Sequence, residues 1–213
     1  MNHKNAYKAA VFVCLLAIVS SFAVFCLFKT KYIQVLSVVF LVFAPLLIEK
    51  KFEFHFPAQL LFCYDFFLVA SMILGTGFNF YSLPLWDKYL HVFAGYIMSA
   101  LGFSIFLNLG AEDQIKEHYL LVGLASSSFA GLLGIIWEIY EYLGDLLFDM
   151  NMQRYLNLNG VPYVGKLALD DTMGDLIADL IGAFVFFLIF WYQIKQNKIK
   201  VENWRFEKVI KWK

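Results

Sequence analysis

Charge is what this sequence has least of. Only 16% of the 213 residues are Asp, Glu, Lys or Arg, and the 17 acidic and 17 basic ones cancel. A chain with no basic surplus leaves no electrostatic footprint for nucleic acid. Cysteine is scarce too: Cys14, Cys26 and Cys63 each lie inside an apolar run and read as small core residues. That placement excludes a disulfide frame or a metal knuckle. Internal repeats and low-complexity segments are also missing, as are the signatures of an activated nucleophile. There is no Gly-x-Ser-x-Gly, no His-Glu-x-x-His and no paired phosphatase signature.

What the chain has is apolar side chains, 61% of all residues, with 24 Phe among them. Soluble domains hold about 45–50% apolar residues, and a chain of this length could not bury the excess. The lipid bilayer is therefore the expected solvent. A spanning helix takes ~20 mostly apolar residues, and the runs that qualify predict six helices, at about 9–28, 32–48, 57–74, 87–109, 119–142 and 172–192. The expected fold is an all-α polytopic bundle forming a single transmembrane domain over 1–194, followed by a basic tail at 195–213. The first run is long for a signal-peptide core and lacks a small-x-small cleavage site before Lys29, so it reads as an uncleaved anchor. The longest connection, 143–171, contains Asn157-Leu158-Asn159-Gly160 and Pro162, which interrupt a helix. Its apolar members (Leu146, Leu147, Phe148, Tyr155, Leu158, Val161, Tyr163, Val164) predict packing against the bundle.

With six spans, both termini share a side with the 2–3 and 4–5 connections. That side collects 12 of the 17 Lys and Arg residues, including Lys50, Lys51, Lys116 and seven in the tail. The positive-inside rule then predicts N-in, C-in. The tail interleaves Trp204, Phe206, Val209, Ile210 and Trp212 with lysines. It reads equally as an interfacial segment on anionic lipid or as a solvated extension.

Ionisable groups at membrane depth cost ~2.5–3.5 kcal/mol each on insertion scales, so each asks for a reason. The first three helices carry little beyond Asp65. In the last three, Asp87, Lys88 and His91 open one helix, Glu138 and Glu141 close the next, and Asp171, Asp175 and Asp179 form a stripe at intervals of four. Topology brings these three helix ends to one side of the membrane, the outer side in the predicted orientation. Gly174, Ala178 and Gly182 run beside the stripe as a small-xxx-small row, with Gly95 and the Gly131–Gly134 pair as matching surfaces.

The five carboxylates of the last two helices cannot all stay ionised side by side without neutralising partners. His91, Lys88, Arg154, Lys166 or a metal would serve. His91, Glu138, Glu141, Asp171, Asp175 and Asp179 make an oxygen-rich set with one imidazole, suited to Mg²⁺, Mn²⁺ or Ca²⁺, or with fewer ligands to Zn²⁺. Structural roles compete. Asp171 before Thr172 resembles a helix cap, with Asp175 as acid in the first turn. Asp87 could cap its own helix, and Glu141 could sit in interfacial water. Asp179, two turns inside, has no capping explanation.

At Asp87-Lys88-x-x-His91, Glu138 and Asp175-x-x-x-Asp179-x-x-Gly182 the sequence resembles the VanZ-like group of bacterial membrane proteins. It is more similar to the YjdF-like branch of inner-membrane proteins. There Trp137-Glu138-x-x-Glu141 and Asp171-Thr172-x-x-Asp175-x-x-x-Asp179 match as whole strings. The resemblance covers roughly residues 87–182. VanZ-like proteins commonly have Gln near the place of Glu141 and Asn at that of Asp179, so the acids here make this site more anionic. The resemblance implies a multi-pass protein of the bacterial cytoplasmic membrane, whose partners are membrane lipids.

Three functions compete. In the first, a membrane-embedded enzyme acts on a lipid or envelope precursor, with His91, Glu138, Asp175 and Asp179 as catalytic candidates. Lys88 would meet an anionic headgroup, and a divalent metal ion would be the cofactor. In the second, the acids relay protons or cations for transport, with Asp65 and Ser71 contributing. The third is a non-catalytic envelope or membrane-structural protein whose polar cluster only fixes helix packing.

Overall fold

The computed structural model describes residues 3–29, 31–110, 117–157, 159–196 and 201–208. The 111–116 turn, with Lys116, and much of the basic tail lie outside the described residues. The helices are α1 (His3–Phe28), α2 (Tyr32–Leu41), α3 (Ala44–Phe52), α4 (Ala58–Leu68), α5 (Trp86–Leu109), α6 (Tyr119–Phe148) and α7 (Asp170–Lys195). A π-helix, Val69–Gly77, continues α4. Among the described residues six helical segments are long and apolar enough to cross a membrane, α2 with α3 making the second and α4 with its π-helix the third. The protein is an all-α polytopic helical bundle.

The chain forms two compact units. The first comprises Met1–Trp86, Phe103–His118 and Lys198–Lys213. Its core joins Ala10, Val13, Ala17 and Val24 of α1 to Val35 and Val38 of α2, Val42, Leu68 and Ile73. The second span breaks at Val42–Phe43 because Pro45 follows: its ring nitrogen has no hydrogen to give the carbonyl four residues back. That carbonyl, on Leu41, instead accepts the Tyr64 hydroxyl at 2.9 Å. Downstream of α3 two short strands pair antiparallel, β1 (Phe54–His55) with β2 (Glu207–Lys208). Phe206 packs on Phe54 and Phe56 at ring-centroid distances of 5.2 and 5.5 Å, and Trp204 lies edge-on to Phe103. The described part of the tail is thus docked on protein, through Trp204 and Phe206, the aromatic residues that would otherwise enter an interface. Glu49, buried in α3, accepts the Phe56 backbone N–H at 2.7 Å and faces His55 Nδ1 at 3.3 Å.

The second unit comprises Asp87–Gly102 and Tyr119–Asn197, so α5 contributes its first four turns, with α6 and α7 whole. Its helices approach closely where glycine removes a side chain. A Cβ on Gly95 would collide with the Asp179 backbone, and one on Gly182 with the Val92 carbonyl. Helix α6 has 30 residues, about 45 Å at 1.5 Å per residue, longer than the ~30 Å hydrocarbon core of a bilayer. It runs one and a half turns past the expected end at 142, and the connection is correspondingly shorter. Of the apolar residues expected to pack inward, Leu146, Leu147, Phe148, Val161, Tyr163 and Val164 are exposed, Tyr155 is half-buried, and Leu158 is outside the described residues. The first three are consecutive residues at the end of α6, exposed around the helix, whereas polar contacts hold the connection. The cysteines are free, and Cys26 is exposed rather than a core residue.

Candidate functional site

Every charged residue singled out in the last three spans falls in the second unit, at one end of α5, α6 and α7. Lys88 comes from the first turn of α5 and reaches α7. Its Nζ donates to Asp171 Oδ1 at 2.8 Å and to Asp175 Oδ1 at 2.7 Å, and lies 3.6 Å from Asp87 Oδ2. Gly174 makes this reach possible, since a Cβ there would sit 3.0 Å from Lys88 Cε. One turn on, His91 lies between two steps of the acidic stripe, Nε2 at 3.4 Å from Asp175 Oδ1 and Nδ1 at 3.3 Å from Asp179 Oδ1. Only the imidazolium carries N–H donors at both ring nitrogens. Asp175 is 1% exposed and holds both cations through one oxygen.

The helix starts show what Asp87 and Asp171 do locally. Neither α5 nor α7 has a side-chain cap: Leu85 and Leu169, whose side chains cannot accept a hydrogen bond, occupy the cap positions. Both aspartates sit in the first turn, where the helix dipole favours an acid, and both carboxylates are committed to cations. Asp87 Oδ2 lies 3.3 Å from Arg154 Nη2, which belongs to the 149–169 connection.

Asp145, in the part of α6 beyond the expected end of that helix, was not singled out from sequence. It is buried and accepts the backbone N–H groups of Met152 and Gln153 at 2.7 and 3.0 Å. Gln153 Nε2 donates to the Thr172 hydroxyl at 2.9 Å. The connection is therefore fastened to all three helices, by Asp145 on α6, Asp87 on α5 and Thr172 on α7. Its spacing from Glu141, four residues, was a legible signal.

Glu138 and Glu141 on α6 differ from the other acids. Glu138 is 5% exposed, and neither of its oxygens has a hydrogen-bond partner among the described residues. The Thr172 hydroxyl lies beside it, and Asp171, Asp175 and His91 are its ionisable neighbours. Glu141 is 9% exposed; Trp137 Nε1 donates to its Oε1 at 3.0 Å, and Oε2 has no partner. Among the described residues, six carboxylates (Asp87, Glu138, Glu141, Asp171, Asp175, Asp179) thus share three basic side chains, Lys88, His91 and Arg154, and all three lie on the aspartates.

One trio has the spacing of a metal centre among the described residues: Asp87, His91 and Asp175 offer atoms within 4.8 Å of one another. The Lys88 ammonium already lies against both of its carboxylates. Of the remaining candidates, Lys166 sits in the short 3₁₀ turn Gly165–Ala168. Asp65 belongs to the other unit, buried, with Oδ2 lacking a partner.

Comparison with known proteins locates the chain broadly. Residues 8–196 match the model of a family described as a predicted membrane protein, DUF2238. An uncharacterized protein of Thermotoga maritima is 27% identical over 144 residues, 67% of each chain. No solved structure matches.

Proposed function

The chain belongs to the DUF2238 family of predicted membrane proteins, and from that premise we propose that it is a divalent-cation-dependent enzyme of the bacterial cytoplasmic membrane, YjdF-like in type, acting on a lipid or envelope precursor. The observation that carries the reading is Glu138, a carboxylate buried without a partner beside an ion-paired cluster. A buried carboxylate is costly unless a proton or a cation meets it, and active sites keep such groups for that purpose. A divalent cation, once bound, would polarise a substrate oxygen or activate water. The protein's own residues do the rest. Asp175 and Asp179 hold His91 by both ring nitrogens, so the ring can pass a proton between fixed points. Lys88, one quarter exposed, can leave Asp171 for an anionic headgroup. The 149–169 connection, fastened by Asp145, Arg154 and Gln153, limits water.

The test is to incubate the purified chain with a bacterial membrane lipid extract and Mg²⁺ or Mn²⁺, and to follow lipid masses by mass spectrometry. A product that disappears with chelator and with Glu138→Gln is the expected result. A second reading, a proton relay, is favoured by the carboxylate–imidazole–carboxylate chain Asp175–His91–Asp179. Proton flux into liposomes that His91→Gln abolishes, with no change in lipid, would replace the first reading by the second. Unchanged lipids and no flux would leave a structural role.

A further inference from the structure

We propose that Glu138 and Glu141 together are the binding site for the divalent cation, an ion of the Mg²⁺, Mn²⁺ or Ca²⁺ type, and that the more compact Asp87–His91–Asp175 trio is not. The proposal rests on the enzyme reading above for the use made of the ion, but the location follows from where the site's own cations lie. In the trio, Lys88 Nζ is 2.7 Å from Asp175 and 3.6 Å from Asp87, and His91 Nε2 is 3.4 Å from the same Asp175 oxygen. Arg154 adds a third cation at Asp87, at 3.3 Å. A metal entering there would have to displace an ammonium and strip an imidazole from two carboxylates.

The glutamate pair is the opposite case. Glu138 and Glu141 are three apart on one face of α6, both at least nine-tenths buried, and among the described residues no cationic side chain lies within ion-pair distance of either. Three of their four oxygens have no hydrogen-bond partner among the described residues, and the fourth takes the neutral Trp137 N–H. Two adjacent carboxylates match one divalent charge, and hard oxygen donors suit a hard cation over Zn²⁺. Across from Glu138, Asp171 keeps one buried oxygen, Oδ2, without a partner, and the Thr172 hydroxyl stands next to it. Mg²⁺ is commonly held by one or two carboxylates, with water or substrate phosphate completing the shell. That arrangement also explains how so acidic a site could accept an anionic headgroup.

Mn²⁺ binding to the full chain in detergent, read by electron paramagnetic resonance, tests the assignment. One Mn²⁺ per chain is expected, competed by Mg²⁺. Glu138→Gln and Glu141→Gln should each weaken it about 100-fold, the upper range for disturbing even an outer partner of a metal. Asp87→Asn should leave it within a few-fold. If either Gln variant fails to stay monodisperse, the wild-type protein still decides, because electron spin-echo modulation from a directly bound imidazole ¹⁴N should be absent. Strong ¹⁴N modulation, or binding lost in Asp87→Asn but kept in the Gln variants, overturns the glutamate assignment and leaves the enzyme reading standing. No Mn²⁺ bound to folded wild-type chain overturns both.

Discussion

Gly134 on α6 lies directly against the carboxylate of Asp179 on α7: a Cβ at Gly134 would sit 2.5 Å from Asp179 Oδ2. The absence of a side chain on one helix is thus what gives room for a buried acid on the next, and Asp179 Oδ1 is left to His91. Gly134→Ala should destabilise the protein by about 1–3 kcal/mol, the usual cost of overpacking. Gly131→Ala, whose Cβ would meet only Leu180 Cδ2 at an ordinary 3.5 Å, should be tolerated. Thermal unfolding of the two variants in detergent checks the contrast, and equal stability would refute it.

His91 links two carboxylates that are 1% and 5% exposed. Removing one partner of a buried pair leaves an uncompensated charge, at a cost of about 3–5 kcal/mol. His91→Phe should therefore be severely destabilised, and adding Asp175→Asn with Asp179→Asn should restore much of the loss. Additive effects in this cycle would mean the three side chains are not coupled.

The 149–169 connection is held by polar contacts, with Val164 84% exposed. Arg154→Gln or Asp145→Asn should free it without unfolding the helices. In Asp145→Asn, hydrogen exchange should rise at Met152 and Gln153, whose N–H groups are left one amide oxygen in place of two carboxylate oxygens, while the 172–192 amides stay protected. Uniformly raised exchange would show that the connection is not a separate unit.

Docking of the tail depends on Phe206 against Phe54 and Phe56. Lys208 is already exposed but held in β2, so Phe206→Ala should free the strand and speed limited trypsin cleavage after Lys208, with the membrane spans intact. No change in cleavage there would mean that strand pairing alone holds it.

Orientation is open to direct measurement. In a cysteine-free background, a cysteine at Val164 should react with an impermeant maleimide added outside the cell, and one at Lys50 should not. The reverse pattern would overturn N-in, C-in and move the site to the cytoplasmic face.

Hydrophobicity and spacing alone determined the six spans, and the period of the stripe Asp171–Asp175–Asp179 put those acids on one face. Span parity then brought Asp87, Glu138 and Asp171 to one side of the membrane. These features are legible because the bilayer imposes a length and the helix a period. Tertiary structure decided the pairing: that Lys88 joins α5 to Asp171 and Asp175, that His91 spans two aspartates, and that Glu138 is left without a partner. Such pairings turn on a few ångströms of helix rotation and approach, set by glycines at 95, 134 and 182 meeting non-local backbone and side chains. The spacing of Asp145 from Glu141 was legible, but its bonds to Met152 and Gln153, like the docked tail, escaped the sequence for the same reason. A hydrogen bond to a folded connection, or to a strand more than a hundred residues away, has no local period to betray it.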